Sequence, residues 1–154
     1  MENLQATIAS GLTESYGTLA ARVRELAAPL SQDQFWIKPF RFGNSFGHLV
    51  LHLTGNLNYY IGAQIAGTGY VRDRDREFTE TRRLPKEDVL QGFDEAIAMV
   101  LRTVKAQTGE DWSASYRAVG ADVTNRFQMV LRCAAHLDHH VGQMIYLCFA
   151  FKKV

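Results

Sequence analysis

The sequence predicts an all-α protein, a four-helix bundle, on three observations. Four long segments repeat apolar residues at helical spacing, the pattern of a helix with one buried face. The three prolines, Pro29, Pro39 and Pro85, each fall at or near a boundary between those segments. The 154 residues suit a single domain, expected to span 1–154, with a core large enough for four helices.

The first helix is expected from about Asn3 to Ala28, where Leu4, Ile8, Leu12, Leu19, Val23 and Leu26 recur at helical spacing and Pro29 stops it. Leu30 to Gly43 reads as a connector whose Phe35, Trp36, Phe40 and Phe42 pack over one end of the core. Asn44 and Ser45 are N-cap residues and open the second helix. It continues through His48, His52, Asn56, Tyr59 and Tyr60 to about Ala66, and Gly67-Thr68-Gly69 ends it. The alternating charges from Val71 to Phe78 then read as a solvated loop of self-paired side chains. Pro85, Glu87 and Asp88 suit the first turn of the third helix, whose buried face is Val89, Phe93, Ile97, Val100, Leu101 and Val104. Thr108-Gly109 closes it. Asp111 to Asp122 lacks a helical period and is expected to be an ordered loop or a short extended piece. The fourth helix should run from about Asn125 to Phe149.

Composition narrows the function. The chain is 47% hydrophobic and 21% charged, with a net charge of +1, so nothing draws it globally to nucleic acid or to an anionic membrane. No basic arm or aromatic-basic stripe marks a nucleic-acid module. The N-terminus has no basic region followed by an apolar stretch, and no apolar run approaches the roughly 20 residues of a membrane span. The expected location is therefore cytoplasmic. Cys133 and Cys148 lie on one helix, roughly 22 Å apart, too far for a disulfide between them, and read as reduced buried thiols.

Four of the five histidines form two pairs at i,i+4 spacing, His48/His52 and His136/His140, and His139 lies inside the second pair. That spacing stacks two imidazoles on one helix face, within reach of one metal ion. With His136 at zero on a helical wheel, Val130, Leu137, Val141, Ile145 and Cys148 occupy about 100° to 180°. His140 falls at about 40°, at the border of that sector. Gln143 shares the His136 stripe, about 20° to the other side of zero. His139, about 60° round on that same other side, points outward. On the second helix, with His48 at zero, His52 at about 40° borders the apolar sector and His48 lies further out. His52 is thus preferred as third ligand, with His48 as the alternative.

The motif His136-Leu137-Asp138-His139-His140-Val141-Gly142-Gln143 in a last helix, the stretch Asn44 to Asn56, and the upstream Leu30 to Pro39 connector together resemble the DinB/YfiT-like superfamily. The resemblance covers most of the chain. It implies a four-helix bundle in which one histidine of the second helix and two of the fourth bind a divalent metal, here His52, His136 and His140. It also implies a homodimer, and an enzyme that uses a low-molecular-weight thiol such as bacillithiol or mycothiol. Val141 stands where that superfamily often has Arg, so no role of that Arg carries over.

Three imidazoles leave a divalent ion with open positions, where a thiol or a water can be activated toward a small-molecule substrate. Imidazole ligation favours zinc, nickel or iron over magnesium or calcium. The residues do not choose between thiol and water, and the resemblance makes a metal-dependent thiol transferase the best reading. The alternatives are a metal-dependent hydrolase, a non-catalytic, stress-linked metal-binding bundle, and a metal-free structural bundle. Gln143, Asn56 and Tyr59 are catalytic candidates by position, the first two equally suited to structural hydrogen bonds and Tyr59 to packing. Arg72 or Arg74 is the candidate to grip a substrate carboxylate.

Overall fold

A computed structural model of the chain describes residues 3–152, and the ends of the predicted 1–154 unit, residues 1–2 and 153–154, lie outside them. Four long helices form the bundle: α1 (Leu4–Ala27), α3 (Phe46–Leu57), α5 (Lys86–Ala106) and α7 (Arg126–Ala150). Short helices α2 (Gln32–Trp36), α4 (Arg74–Thr79) and α6 (Gly109–Ser113) lie in the connections. Among the described residues there is no strand, only an isolated antiparallel bridge between Ser115 and Asn125.

Both α1 and α3 pack on α5 and α7, so α1 and α3 sit diagonally across the bundle. Lys86 Nζ, at the start of α5, donates to the Ala27 and Leu30 carbonyls beyond the end of α1, so these two helices are antiparallel. The Cys148 thiol near the end of α7 meets the Leu26 carbonyl, so α7 runs parallel to α1. Trp36, against which α3 begins, donates from Nε1 to the Leu84 carbonyl just ahead of α5. Both α3 and α5 therefore start at the same end and run the same way. Parallel neighbours cannot be joined by a tight turn, and residues 64–85 are the crossover that returns the chain along α3. That return positions the site.

Here the structure corrects the solvated-loop expectation for Val71 to Phe78. Asp73 Oδ1 accepts from the Arg76 N–H and caps α4, which packs on α3 and leaves Glu77 only 7% exposed. The alternating signs make this burial tolerable, because each buried carboxylate finds a guanidinium in its own segment: Arg72 for Glu77 and Arg82 for Glu80.

The other connections also hold local structure. Ser31 and Gln34 make a reciprocal capping box that starts α2, and Thr108 and Asp111 do the same for α6, where no helix was expected. The aromatic connector only half enters the core. Phe35 and Trp36 are buried, whereas Phe40 and Phe42 stack on each other at the surface. The second helix does not reach Ala66 as a regular α-helix: from Asn58 to Ala63 it widens into a π-helix. The widened turn leaves the Tyr60 carbonyl to accept from the Tyr116 hydroxyl at 2.8 Å. Gly67 and Gly69, both at positive φ, then end it.

On α7 the buried residues include Met129, Cys133, Met144 and Leu147, while Ile145 and Cys148 are half-buried. The buried arc thus lies roughly 50° closer to His136 than the projection put it. The shift comes from α3 packing on that side of α7. Tyr16, fully buried, satisfies its hydroxyl on the Val130 carbonyl at 2.7 Å.

Ser45 does two things at the start of α3. Its Oγ accepts from the His48 N–H, and its hydroxyl lies 2.7 Å from His48 Nδ1. Replacing Ser45 by Ala removes both the cap and the partner of a buried imidazole nitrogen. The expected loss in a urea titration is about 1–2 kcal/mol. A change within experimental error would mean that His48 finds another partner.

Candidate metal centre

His52 comes from the middle of α3, where Leu49, Leu53 and Leu57 bury one side of the helix. His136 and His140 come from consecutive turns of α7. Across the seam between the two helices, His136 Nε2 lies 3.1 Å from His52 Nε2 and 3.0 Å from His140 Nε2. The three offered nitrogens all lie within 4.8 Å of one another, and the group could hold a metal ion. Nitrogens bound about 2.0–2.1 Å from one ion, at right to tetrahedral angles, sit about 2.8–3.4 Å apart, so the two short distances fit.

The outer ring nitrogens decide where the lone pairs point. His52 Nδ1 lies 2.8 Å from Glu77 Oε2, and a carboxylate can only accept, so Nδ1 carries the proton and Nε2 offers a lone pair inward. Arg72 holds the same carboxylate by two bonds, from Nε at 2.7 Å and from Nη2 at 2.9 Å. Burial pushes the Glu77 carboxyl upward, but the hydrogen bonds from His52 and Arg72 outweigh it and leave the group below the ordinary carboxylate range. His140 Nδ1 donates to Gln143 Oε1 at 2.7 Å, which turns its Nε2 inward as well. Gln143 Nε2 in turn reaches His139, which is exposed.

His136 Nδ1 is buried and has no partner among the described residues. A proton on His136 Nε2 could serve only one of the two facing lone pairs, and a proton on Nδ1 would leave three lone pairs converging. Burial, followed by the neighbouring His140 and His52, pushes the His136 pKa down to about 3, and burial lowers His140 as well. His136 and His140 therefore stay neutral at pH 7, and a cation is the group that complements the converging lone pairs.

His48 lies outside the cluster. The wheel put it on the wet side of α3, but the crossover covers it. Its Nε2 donates to the Glu80 carbonyl at 2.8 Å and its Nδ1 faces Ser45, so neither nitrogen is free for an ion. Val141 is buried in the core on the side of α7 away from the cleft, a place suited to an apolar side chain.

A cleft of about 760 Å³ opens from His52 and His136 along the seam. Asn56 and Tyr59 line it from the α3 side, Cys133 and Arg132 from α7, and Arg72 and Arg74 from the crossover. Gln143 braces His140 rather than bridging two helices. The Asn56 carboxamide makes no hydrogen bond among the described residues, although its Oδ1 is buried. Arg72 is held by Glu77 and lies over the Tyr60 ring, while Arg74 opens α4 at the surface beside Phe78.

Sequence reasoning missed Glu77, Gly55 and Arg132. Glu77 gave no local signal, because its partner lies 25 residues away on another element. Gly55 is the floor on which Glu77 rests: a Cβ there would stand 2.0 Å from Glu77 Oε1. Arg132 could have been found as the residue one turn before His136 on the same stripe.

No curated protein matches the chain. A family model described as DinB superfamily matches residues 16–144, which takes in all three clustered histidines, the crossover, half of α1, all of α3 and α5 and most of α7. With the helical fold, that match shows that the chain belongs to the DinB superfamily.

Proposed function

We propose that the protein is a metal-dependent enzyme of the thiol S-transferase type, with one divalent transition-metal ion held by His52, His136 and His140. The observation that carries this reading is the convergence of three imidazole Nε2 atoms, two of them fixed from behind by Glu77 and Gln143. Zinc, nickel and iron suit the all-imidazole set. Such an ion supplies a Lewis-acidic position that lowers the pKa of a bound thiol or water.

The chain's own residues favour a thiol brought from outside. Cys133 lines the cleft one turn from His136, but it is buried, and in the metal-free protein burial pushes its pKa up to about 12, which disfavours its thiolate. Glu77 and Gln143 keep the outer protons of His52 and His140 in place and so keep both rings oriented. In the reaction, a low-molecular-weight thiol loses its proton and forms a carbon–sulfur bond as the electrophilic carbon releases its leaving group.

Untagged protein, metal-analysed and then offered cysteine, bacillithiol or mycothiol with monochlorobimane, tests this reading. About one ion per chain and metal-dependent loss of chloride are expected. Metal without turnover for any thiol would leave a non-catalytic metal-binding bundle. No metal after reconstitution would remove the reading.

Acid should release the ion, because ligation needs neutral imidazole. His136 and His140 titrate below the ordinary imidazole value, so protons compete late. Half-release on dialysis is therefore expected below about pH 6.5. Release already complete at pH 7 would contradict the assignment of these histidines.

A further inference from the structure

We infer that the cleft beside the three histidines takes a small organic anion, whose acidic group is held by Arg132 and Arg74 and whose second polar group meets Asn56. The inference rests on the proposed role of the cleft as the substrate site and specifies what enters it.

Charge is the first argument. Among the described residues three guanidinium groups line the cleft, from Arg72, Arg74 and Arg132, and no carboxylate does. The whole chain carries a net charge of only +1, so this local excess of one sign is a property of the cleft. Arg72 is committed to Glu77, whereas Arg74 and Arg132 have no ion pair among the described residues. They reach the cleft from two elements, Arg74 from the crossover and Arg132 from α7, as a clamp on one acidic group requires.

The second argument is independent. Asn56, 8% exposed, lines the same cleft with a buried and unpartnered Oδ1, one turn of α3 beyond His52. A buried amide without a partner is costly, and a guest with a polar group there relieves it. Tyr59, Tyr60 and Tyr70 supply aromatic faces for the body of the guest. From Met129 to His136 the α7 wall is roughly 10 Å long, enough for a molecule with its acid at the arginines and its reactive end at the histidines.

A probe series of one shape tests this: 4-phenylbutyrate, 4-phenyl-1-butanol and 4-phenylbutylamine, titrated calorimetrically into metal-loaded and EDTA-stripped protein. The carboxylate is expected to bind at least about tenfold tighter than the alcohol in both forms, and less so at high salt. Arg132→Gln should bring that ratio down to within about threefold, and Arg132→Lys should restore part of it. A 2-hydroxyl on the carboxylate probe should add affinity in the wild type and none in Asn56→Leu.

Equal binding of the three probes, preference for the amine, or no effect of Arg132→Gln would overturn the inference. So would an anion preference confined to the metal-loaded form, since the carboxylate would then sit on the ion. A hydroxyl that adds nothing in the wild type would overturn the part given to Asn56. The stripped protein makes these outcomes independent of whether the metal reading holds.

Discussion

His136→Ala should lower the bound metal from about one ion per chain to less than about a tenth, with the bundle still folded. His136 is the hub of the cluster: its Nε2 is the atom that stands 3.0–3.1 Å from both other imidazoles. Without it, His52 and His140 belong to different helices and no third nitrogen closes the set. Circular dichroism and elemental analysis on the same preparation separate loss of metal from loss of fold.

The same variant has a second signature, opposite in sign to a simple loss of packing. In the metal-free wild type His136 stays neutral down to about pH 3, because burial and then its histidine neighbours disfavour the charged ring. In the unfolded chain an imidazole titrates near pH 6.5. Between those values the unfolded state binds more protons, so the stability of the metal-free protein falls as pH drops from about 6.5 toward 3. His136→Ala should flatten that dependence. Full metal binding in the variant, or an unchanged acid limb of the stability curve, would show that His136 is not the hub.

Gly55→Ala, the addition of one methyl group, should be the most damaging small change in the molecule. The new Cβ would stand 2.0 Å from Glu77 Oε1 and 2.8 Å from its carboxyl carbon. Relieving that overlap requires the carboxylate to shift from the position in which it reaches both His52 and Arg72. Overpacking alone costs about 1–3 kcal/mol. Breaking a buried ion pair by displacing one partner costs about 3–5 kcal/mol. The expected loss lies in the upper part of that range, with metal affinity reduced about 10- to 100-fold because His52 loses its orienting partner.

Glu77→Gln provides the control. The amide fits the same space and avoids the overlap, but it leaves Arg72 without its counter-charge, so it should cost the stability of the ion pair alone and weaken metal binding, since a neutral oxygen holds the His52 proton less strongly. A Gly55→Ala variant as stable and as metal-competent as the wild type would show that the crossover does not brace His52.

How legible the molecule was in its sequence depends on the range of each interaction. The four long helices are written in apolar spacing, in Ser45 and Asn125 as caps, and in proline positions, and each was placed to within a few residues when the π-helical turn to Ala63 is counted with α3. The His136/His140 pair is local in the same sense, since one helix turn sets its geometry. The capping boxes at Ser31 and Thr108 were also local signals, present in the sequence but unread.

Choosing between His48 and His52 from the residues alone was less secure. A wheel measures where a side chain leaves its own helix and not what arrives from elsewhere. It placed His52 at the border of the apolar sector and His48 further out, but the crossover covers His48 and occupies both its nitrogens.

The sequence by itself determined the helices, the bundle and the spacing that lets two histidines face one point. Only the tertiary structure decided the rest: that α3 and α5 run parallel, that residues 64–85 must return along α3, and that this return drops Glu77 onto Gly55 and against His52. Periodicity is fixed by neighbours along the chain. The orientation of an imidazole is fixed by whichever group reaches its far nitrogen, and here that group, 25 residues away, arrives only when the bundle closes.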